Sequence, residues 1–190
     1  LGEAVITSVD RDADGRVSVK GNLGEVVGDM AVLGIGAQPS IGWLRGSDVA
    51  LADGVVSDET LATNIPGVVA AGDVARWYNP LFDESMRIEQ WTNAVEQGRH
   101  AAATLLGEKS AYSTVPYLWS DLFDVRMRFV GRSYGADEVL IHERGDNSLV
   151  GVFGRHGVQI GAVCINATSE VGQHREAIAN RREMPVAVGE

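Results

Sequence analysis

The stretch from Gly67 to Gly98 constrains this chain more than any other. A short apolar run, Val68-Val69-Ala70-Ala71, ends in Gly72-Asp73. After a polar and aromatic loop, a helix-like segment follows from roughly Thr92 to Leu106. The pattern predicts a short buried strand over Gly67–Ala71 that delivers Gly72 and Asp73 to the start of a helix. Such a junction suits a large polar ligand. Glycine lets backbone approach closely, and an aspartate carboxylate accepts strong hydrogen bonds from hydroxyls. The first N–H groups of a helix, at the positive end of its dipole, favour negative charge.

Three blocks carry a resemblance. Ala70-Ala71-Gly72-Asp73, followed by Arg87-Ile88-Glu89-x-Trp91-x-Asn93-Ala94-x-x-Gln97-Gly98, resembles the second flavin-binding segment of the FAD-dependent NAD(P)H:ferredoxin reductases, in the pyridine nucleotide-disulfide oxidoreductase superfamily. Val115-Pro116-Tyr117-Leu118-Trp119-Ser120-Asp121 resembles the start of that family's C-terminal domain, and Gly34-Ile35-Gly36-Ala37-Gln38-Pro39 the end of its nucleotide domain. The blocks occur in family order and cover nearly the whole chain.

The resemblance implies an α/β fold, a remnant of FAD- and NAD(P)-binding Rossmann-like domains, followed by an α+β C-terminal domain with an antiparallel meander. Residues 1–38 would close the NAD(P)-binding domain, 39–108 form the second half of the FAD-binding domain, and 109–190 form the C-terminal reductase domain. The family's G-x-G-x-x-G phosphate loops are absent: Gly34-x-Gly36 is followed by Ala-Gln-Pro, and no helix-forming run starts there. The chain therefore reads as the C-terminal portion of a longer reductase, expected on its own to be inactive and to hold little FAD.

What the resemblance implies for single residues has an ordinary structural alternative in each case. Asp73, beside Gly72, would bond a flavin ribityl hydroxyl; otherwise it begins a turn. The backbone N–H of Trp91, with Ala94 in the same helix start, would face the pyrimidine edge of the flavin; otherwise Trp91 is a core tryptophan. Glu89 would position the nicotinamide carboxamide, or else be a surface or capping carboxylate, and Gln90 is its polar neighbour. Trp119 would shield the stacked rings on the route to the acceptor, or pack at a domain interface. Gly36 would bring backbone close to the dinucleotide, or mark a tight strand exit. Trp43 and Trp77 have only an ordinary structural reading. The surface near Trp119, with some of Arg126, Arg128 and Arg132, is expected to face the redox partner; otherwise these arginines line a solvated strand face.

The implied cofactors are FAD and NAD(P)H, and the implied partner is a [2Fe–2S] ferredoxin, with a homodimer left open. Electrons would pass from nicotinamide through flavin to the ferredoxin. Two other readings stand beside this one: a non-catalytic module in which residues 112–190 serve dimerisation or partner binding, and a related flavoenzyme with a different acceptor.

Composition excludes other classes. The net charge is −10 and the basic residues form no run, which argues against nucleic acid. No apolar stretch is long enough to span a bilayer as a helix. The one cysteine, Cys164, offers neither a dithiol relay nor an internal disulfide, reads as a small core residue, and suits a reducing cytoplasm. His100, His142, His156 and His174 show no ligand spacing, so no metal site is expected.

Along the chain, Ala4-Val5-Ile6 and Val17-Ser18-Val19 read as strands joined by a turn at Asp12-Ala13-Asp14-Gly15. Met30–Ile35 is a continuous apolar run, as for a strand covered on both faces. Val55-Val56 is a further short strand. Ala94, Val95, Gly98, Ala101, Ala102 and Leu105 mark the packed helix face, and Gly107 its C-terminus. A polar linker spans Gly107–Thr114. Residues 122–166 alternate in four strand-like runs with turns at Asp146-Asn147 and Arg155-His156-Gly157, and Glu170–Arg182 reads as a closing helix.

Overall fold

The aspartate-rich turn organises the first hairpin. Asp12 Oδ1 accepts the N–H groups of Asp14 and Arg16, at 3.1 and 2.7 Å, and Gly15 takes a positive φ. This reverses the chain between β1 (Ile6–Arg11) and β2 (Val17–Gly21), and β3 (Gly24–Gly28) adds antiparallel to β2. The computed structural model describes residues 4–145 and 147–185, in two compact units, Leu1–Gln38 and Pro39–Glu190. The three strands belong to the first.

The apolar run after β3 departs from expectation. Met30–Ile35 forms no strand, and Val32 and Ile35 are 88% and 86% exposed. A strand needs neighbours to take its backbone hydrogen bonds and layers to cover its faces. None of the described strands pairs with this segment.

The second unit opens with a mixed sheet of order β4-β5-β6-β7: β4 (Leu51–Ala52), β5 (Gly54–Ser57), β6 (Ala75–Asn79) and β7 (Glu84–Met86). Only β5 and β6 run parallel. The expected strand at Gly67–Ala71 is absent. That segment folds back locally, with Thr63 N–H donating to the Val68 carbonyl and Ala70 N–H to that of Leu61, and only an isolated bridge joins Ala62 and Val69. The partner of β5 is instead Ala75–Asn79, just after the Gly-Asp pair.

Helix α1 spans Trp91–Leu105. Its end is a Schellman closure: Gly107, at φ +99°, donates to the Thr104 carbonyl and Glu108 to that of Ala103. The buried face is only partly the one the small residues suggested. Asn93, Gln97 and Ala101 are buried, whereas Gly98, Ala102 and Leu105 are exposed. The polar pair can be buried because each has a specific hydrogen-bond partner. Asn93 Nδ2 donates to the Ile88 carbonyl at 3.2 Å, and Gln97 accepts from Gly72.

A five-stranded antiparallel sheet follows, with β8 (Tyr117–Leu122), β9 (Val125–Gly131), β10 (Glu138–Glu143), β11 (Leu149–Arg155) and β12 (Val158–Ile165) in order β10-β11-β12-β9-β8. The pairings β8–β9, β10–β11 and β11–β12 are those of a meander, and the β9–β12 pairing joins its two parts. β8 lies within the expected Trp-Ser-Asp block, which the sequence reading left without an element. Asp146, half of one expected turn, lies outside the described residues. Helix α2 (Val171–Ala179), preceded by a short 3-10 turn, packs on β9 and β12. Glycine is required where α2 meets the sheet, because a Cβ on Gly131 would collide with the Ile160 carbonyl.

One core runs through residues 39–108 and 109–190 alike. Leu61, Trp77 and Ala101 pack with Tyr112, Val130 and Ile178. Trp77 is fully buried and its indole N–H donates to the Tyr112 carbonyl at 3.2 Å, while Trp43 lies exposed. Cys164 is also fully buried, and burial pushes its thiol up to about 11. No helix among the described residues is long and apolar enough to cross a membrane.

Candidate functional site

The Gly72–Asp73 turn is assembled from both sides. Ala71 is extended, and Gly72–Val74 then forms one 3-10 turn that leads into β6. Gly72 sits at φ +76°, where an L side chain is strained, and a Cβ there would lie 3.5 Å from that of Ala94. The turn thus rests on the first turns of α1. Gln97, one turn further along the helix, fixes it: its Oε1 accepts the Gly72 N–H at 2.7 Å. The Asp73 carboxylate stays exposed, with no hydrogen-bond partner among the described residues.

Helix α1 starts without a side-chain cap and without a carboxylate in its first turn. Its leading N–H groups and the positive end of its dipole are therefore available to a ligand. Gln90 is the extended residue before the helix, and its side-chain Oε1 is buried with no partner among the described residues. Gln97 Nε2 is likewise buried and unpartnered. Trp91 is 72% exposed, so it is not a core residue.

Arg87 ties two of the expected site residues together. Its Nη1 donates to the Asp73 carbonyl at 3.1 Å and to the Glu89 carboxylate, and its Nε donates to Asp53 at 3.2 Å. The Glu89 carboxylate, first among several effects, raises the pKa of this guanidinium. Arg87 stands in the sequence motif, but nothing local shows that it reaches back to Asp73.

Tyr117, two residues before Trp119, meets the helix start through its backbone. The Thr92 hydroxyl donates to the Tyr117 carbonyl at 3.0 Å, and the Tyr117 and Trp119 rings stack at 5.7 Å. Trp119 is 47% exposed, opposite Arg128 on β9. The expected arginine patch is reduced. Arg128 pairs with Asp121, and Arg132 is buried, bonded to Glu84 and to the Tyr134 carbonyl. Arg126 alone of the three makes no ion pair among the described residues. Gly36 belongs to the first unit, where it adopts φ +78° with open space around a notional Cβ.

The second unit therefore gathers Gly72, Asp73, Glu89, Gln90, Trp91 and Ala94 around one helix start, and the Thr92–Tyr117 bond ties to it the strand that carries Trp119. Sequence reasoning missed two residues that do the gathering: Gln97, quoted in the motif without a role, and Arg87. Chemically the arrangement offers a carboxylate to ligand hydroxyls and backbone N–H groups to an electron-rich edge. No group of three or more metal-binding side chains occurs among the described residues.

Known proteins share this arrangement of chain. Residues 2–98 match the family described as Pyridine nucleotide-disulphide oxidoreductase, and residues 117–188 match the family Reductase C-terminal. The chain is 32% identical over 171 residues to the ferredoxin–NAD(+) reductase component of the anthranilate 1,2-dioxygenase system of Burkholderia cepacia, covering 88% of this chain and 42% of that protein. It is 31% identical to putidaredoxin reductase CamA of Pseudomonas putida, covering 80% and 36%. Among solved structures, the ferredoxin reductase for the CYP199A2 system from Rhodopseudomonas palustris superposes with a TM-score of 0.86 at 28% identity, covering 95% of this chain and 45% of that one. Putidaredoxin reductase in its covalent complex with putidaredoxin gives 0.84 at 26% identity, covering 94% and 44%. The chain spans less than half the length of these relatives. With more than half of its residues matched, in an order that brings the Gly-Asp turn to the uncapped helix, the chain belongs to the pyridine nucleotide-disulphide oxidoreductase family.

Proposed function

We propose that this chain is the flavin-edge and C-terminal portion of an NAD(P)H-dependent ferredoxin reductase. The observation that carries the reading is the Gly72–Gln97 hydrogen bond, which seats the Gly-Asp turn on the uncapped start of α1. The residues fit FAD. Asp73 is an unpartnered acceptor, Gly72 keeps the backbone accessible, and Gln90 Oε1 and Gln97 Nε2 are buried groups still lacking partners. Bound FAD supplies the chemistry, accepting a hydride from NAD(P)H and releasing electrons singly.

The protein's part is positioning and electrostatics. Asp73 holds a ribityl hydroxyl. The backbone N–H of Trp91 and the α1 dipole favour negative charge at the pyrimidine edge, with Ala94 small enough to let the ligand approach. Glu89 would orient the nicotinamide amide, with Gln90 as its polar neighbour, and Trp119 would shield the rings on the acceptor side. In the first unit, taken by itself, Gly36 would bring backbone close to the dinucleotide. The acceptor is a [2Fe–2S] ferredoxin docking near Trp119 and Arg126, in the reducing cytoplasm.

The test uses the full-length protein with Asp73→Ala. Loss of a charged acceptor costs about 1.5–3 kcal/mol, a rise of about 10- to 150-fold in the FAD dissociation constant. The variant is expected to purify depleted in flavin. Purification with a full complement of FAD would refute the assignment.

A further inference from the structure

Among the described residues, the Arg87 side chain touches both the Asp73 turn and the Glu89 carboxylate of the proposed site. Its side chain is only 11% exposed, between Asp53 and Glu89, and it reaches the Asp73 carbonyl as well. Guanidinium geometry suits this. A planar fork with several N–H donors can serve a carboxylate on each side and a carbonyl at once, which a single ammonium cannot do at the same spacing. The Asp73 contact is to the backbone, so it fixes the turn and leaves the carboxylate free for ligand. The Glu89 contact holds a half-exposed carboxylate that would otherwise move in solvent. Asp53 lies in the β4–β5 turn and anchors the far side of the fork.

We infer that Arg87 is a positioning residue that couples FAD retention to nicotinamide binding, by holding the Asp73 turn and the Glu89 carboxylate in one register. The inference rests on the function proposed above. It requires that one substitution, at a residue touching neither ligand, weaken both interactions together. It also requires that turnover of the FAD-loaded enzyme at saturating NAD(P)H change less than KM, because Arg87 does not contact the reacting atoms. A purely structural arginine would lower the melting temperature and leave both affinities in place.

The experiment uses full-length enzyme, reconstituted from apoprotein with FAD and assayed with NAD(P)H and a small artificial acceptor. Arg87→Met is expected to raise the FAD dissociation constant and the KM for NAD(P)H by about tenfold or more each, the loss of one charge-assisted hydrogen bond on either side. Arg87→Lys keeps the charge and should restore one of the two but not both; it also serves if the Met variant does not fold. Asp73→Ala and Glu89→Gln are run beside them. If Asp73→Ala keeps its flavin, the proposed function fails. If it loses flavin while both Arg87 variants hold the two constants within about twofold of wild type, against the tenfold expected for one lost charge-assisted bond, the coupling inference alone is overturned.

Discussion

Replacing Gln97 with methionine tests how the turn is held. The side chain is fully buried, its Oε1 accepts the Gly72 N–H at 2.7 Å, and its Nε2 has no partner among the described residues. Gln97→Met keeps the length of the side chain and removes both polar groups. Stranding a buried donor costs about 1–3 kcal/mol, and because Gly72 is only half-buried the cost falls near about 1 kcal/mol. Removing the unpartnered Nε2 returns about 1–3 kcal/mol. The two terms offset to within about 2 kcal/mol, so the melting temperature should shift by less than about 8 °C. Gln97→Ala removes the same groups and also leaves a void, as in large-to-small core changes that cost about 2–5 kcal/mol. Urea unfolding of the apoprotein should therefore rank wild type and Met together, with Ala well below. FAD affinity should fall in both variants, because the turn has lost its anchor. Equal destabilisation by Met and Ala would refute the cancellation. Unchanged FAD binding by Gln97→Met would show that the Gly72 bond does not position the turn.

Burial lowers the pKa of His174, with Glu170 opposing and Arg144 and His142 adding to the shift. The unfolded chain then binds the proton first as pH drops below about 6.5, so stability should fall with pH from there, and His174→Gln should flatten the slope of the urea midpoint between about pH 7 and 5. Arg126→Glu in the full-length protein should slow ferredoxin reduction and weaken its salt dependence without affecting a small artificial acceptor, because Arg126 is a cation of the β8–β9 face without an ion-pair partner among the described residues; an unchanged salt profile would place docking elsewhere.

Local features were legible in the sequence for a physical reason. The Asp12–Gly15 turn, the α1 end at Gly107 and the strand runs after residue 122 depend on residues within a few positions of one another. The three motif blocks pointed to the family, and Gly72, Asp73, Glu89, Gln90, Trp91 and Ala94 lie together around the start of α1. Features that needed a distant partner were misread. Met30–Ile35 looked like a buried strand, but no described strand pairs with it. Gly67–Ala71 looked like a strand because it is apolar, yet its backbone groups are taken by Leu61 and Thr63.

The sequence by itself determined where the chain turns, where α1 begins and ends, and that Gly72-Asp73 precedes a helix start, since backbone preference and capping act over a few residues. Only the tertiary structure decided which face of α1 is buried. Small side chains suggested one face, but Gln97 finds Gly72, 25 residues away, and Asn93 finds Tyr112, so the polar face turns inward. Arg87 acquires its role in the same way, from Asp53, 34 residues earlier, and from the Asp73 carbonyl. Burial of a polar side chain is permitted by its partner, and a partner supplied by another part of the chain leaves no periodic trace around the residue it satisfies.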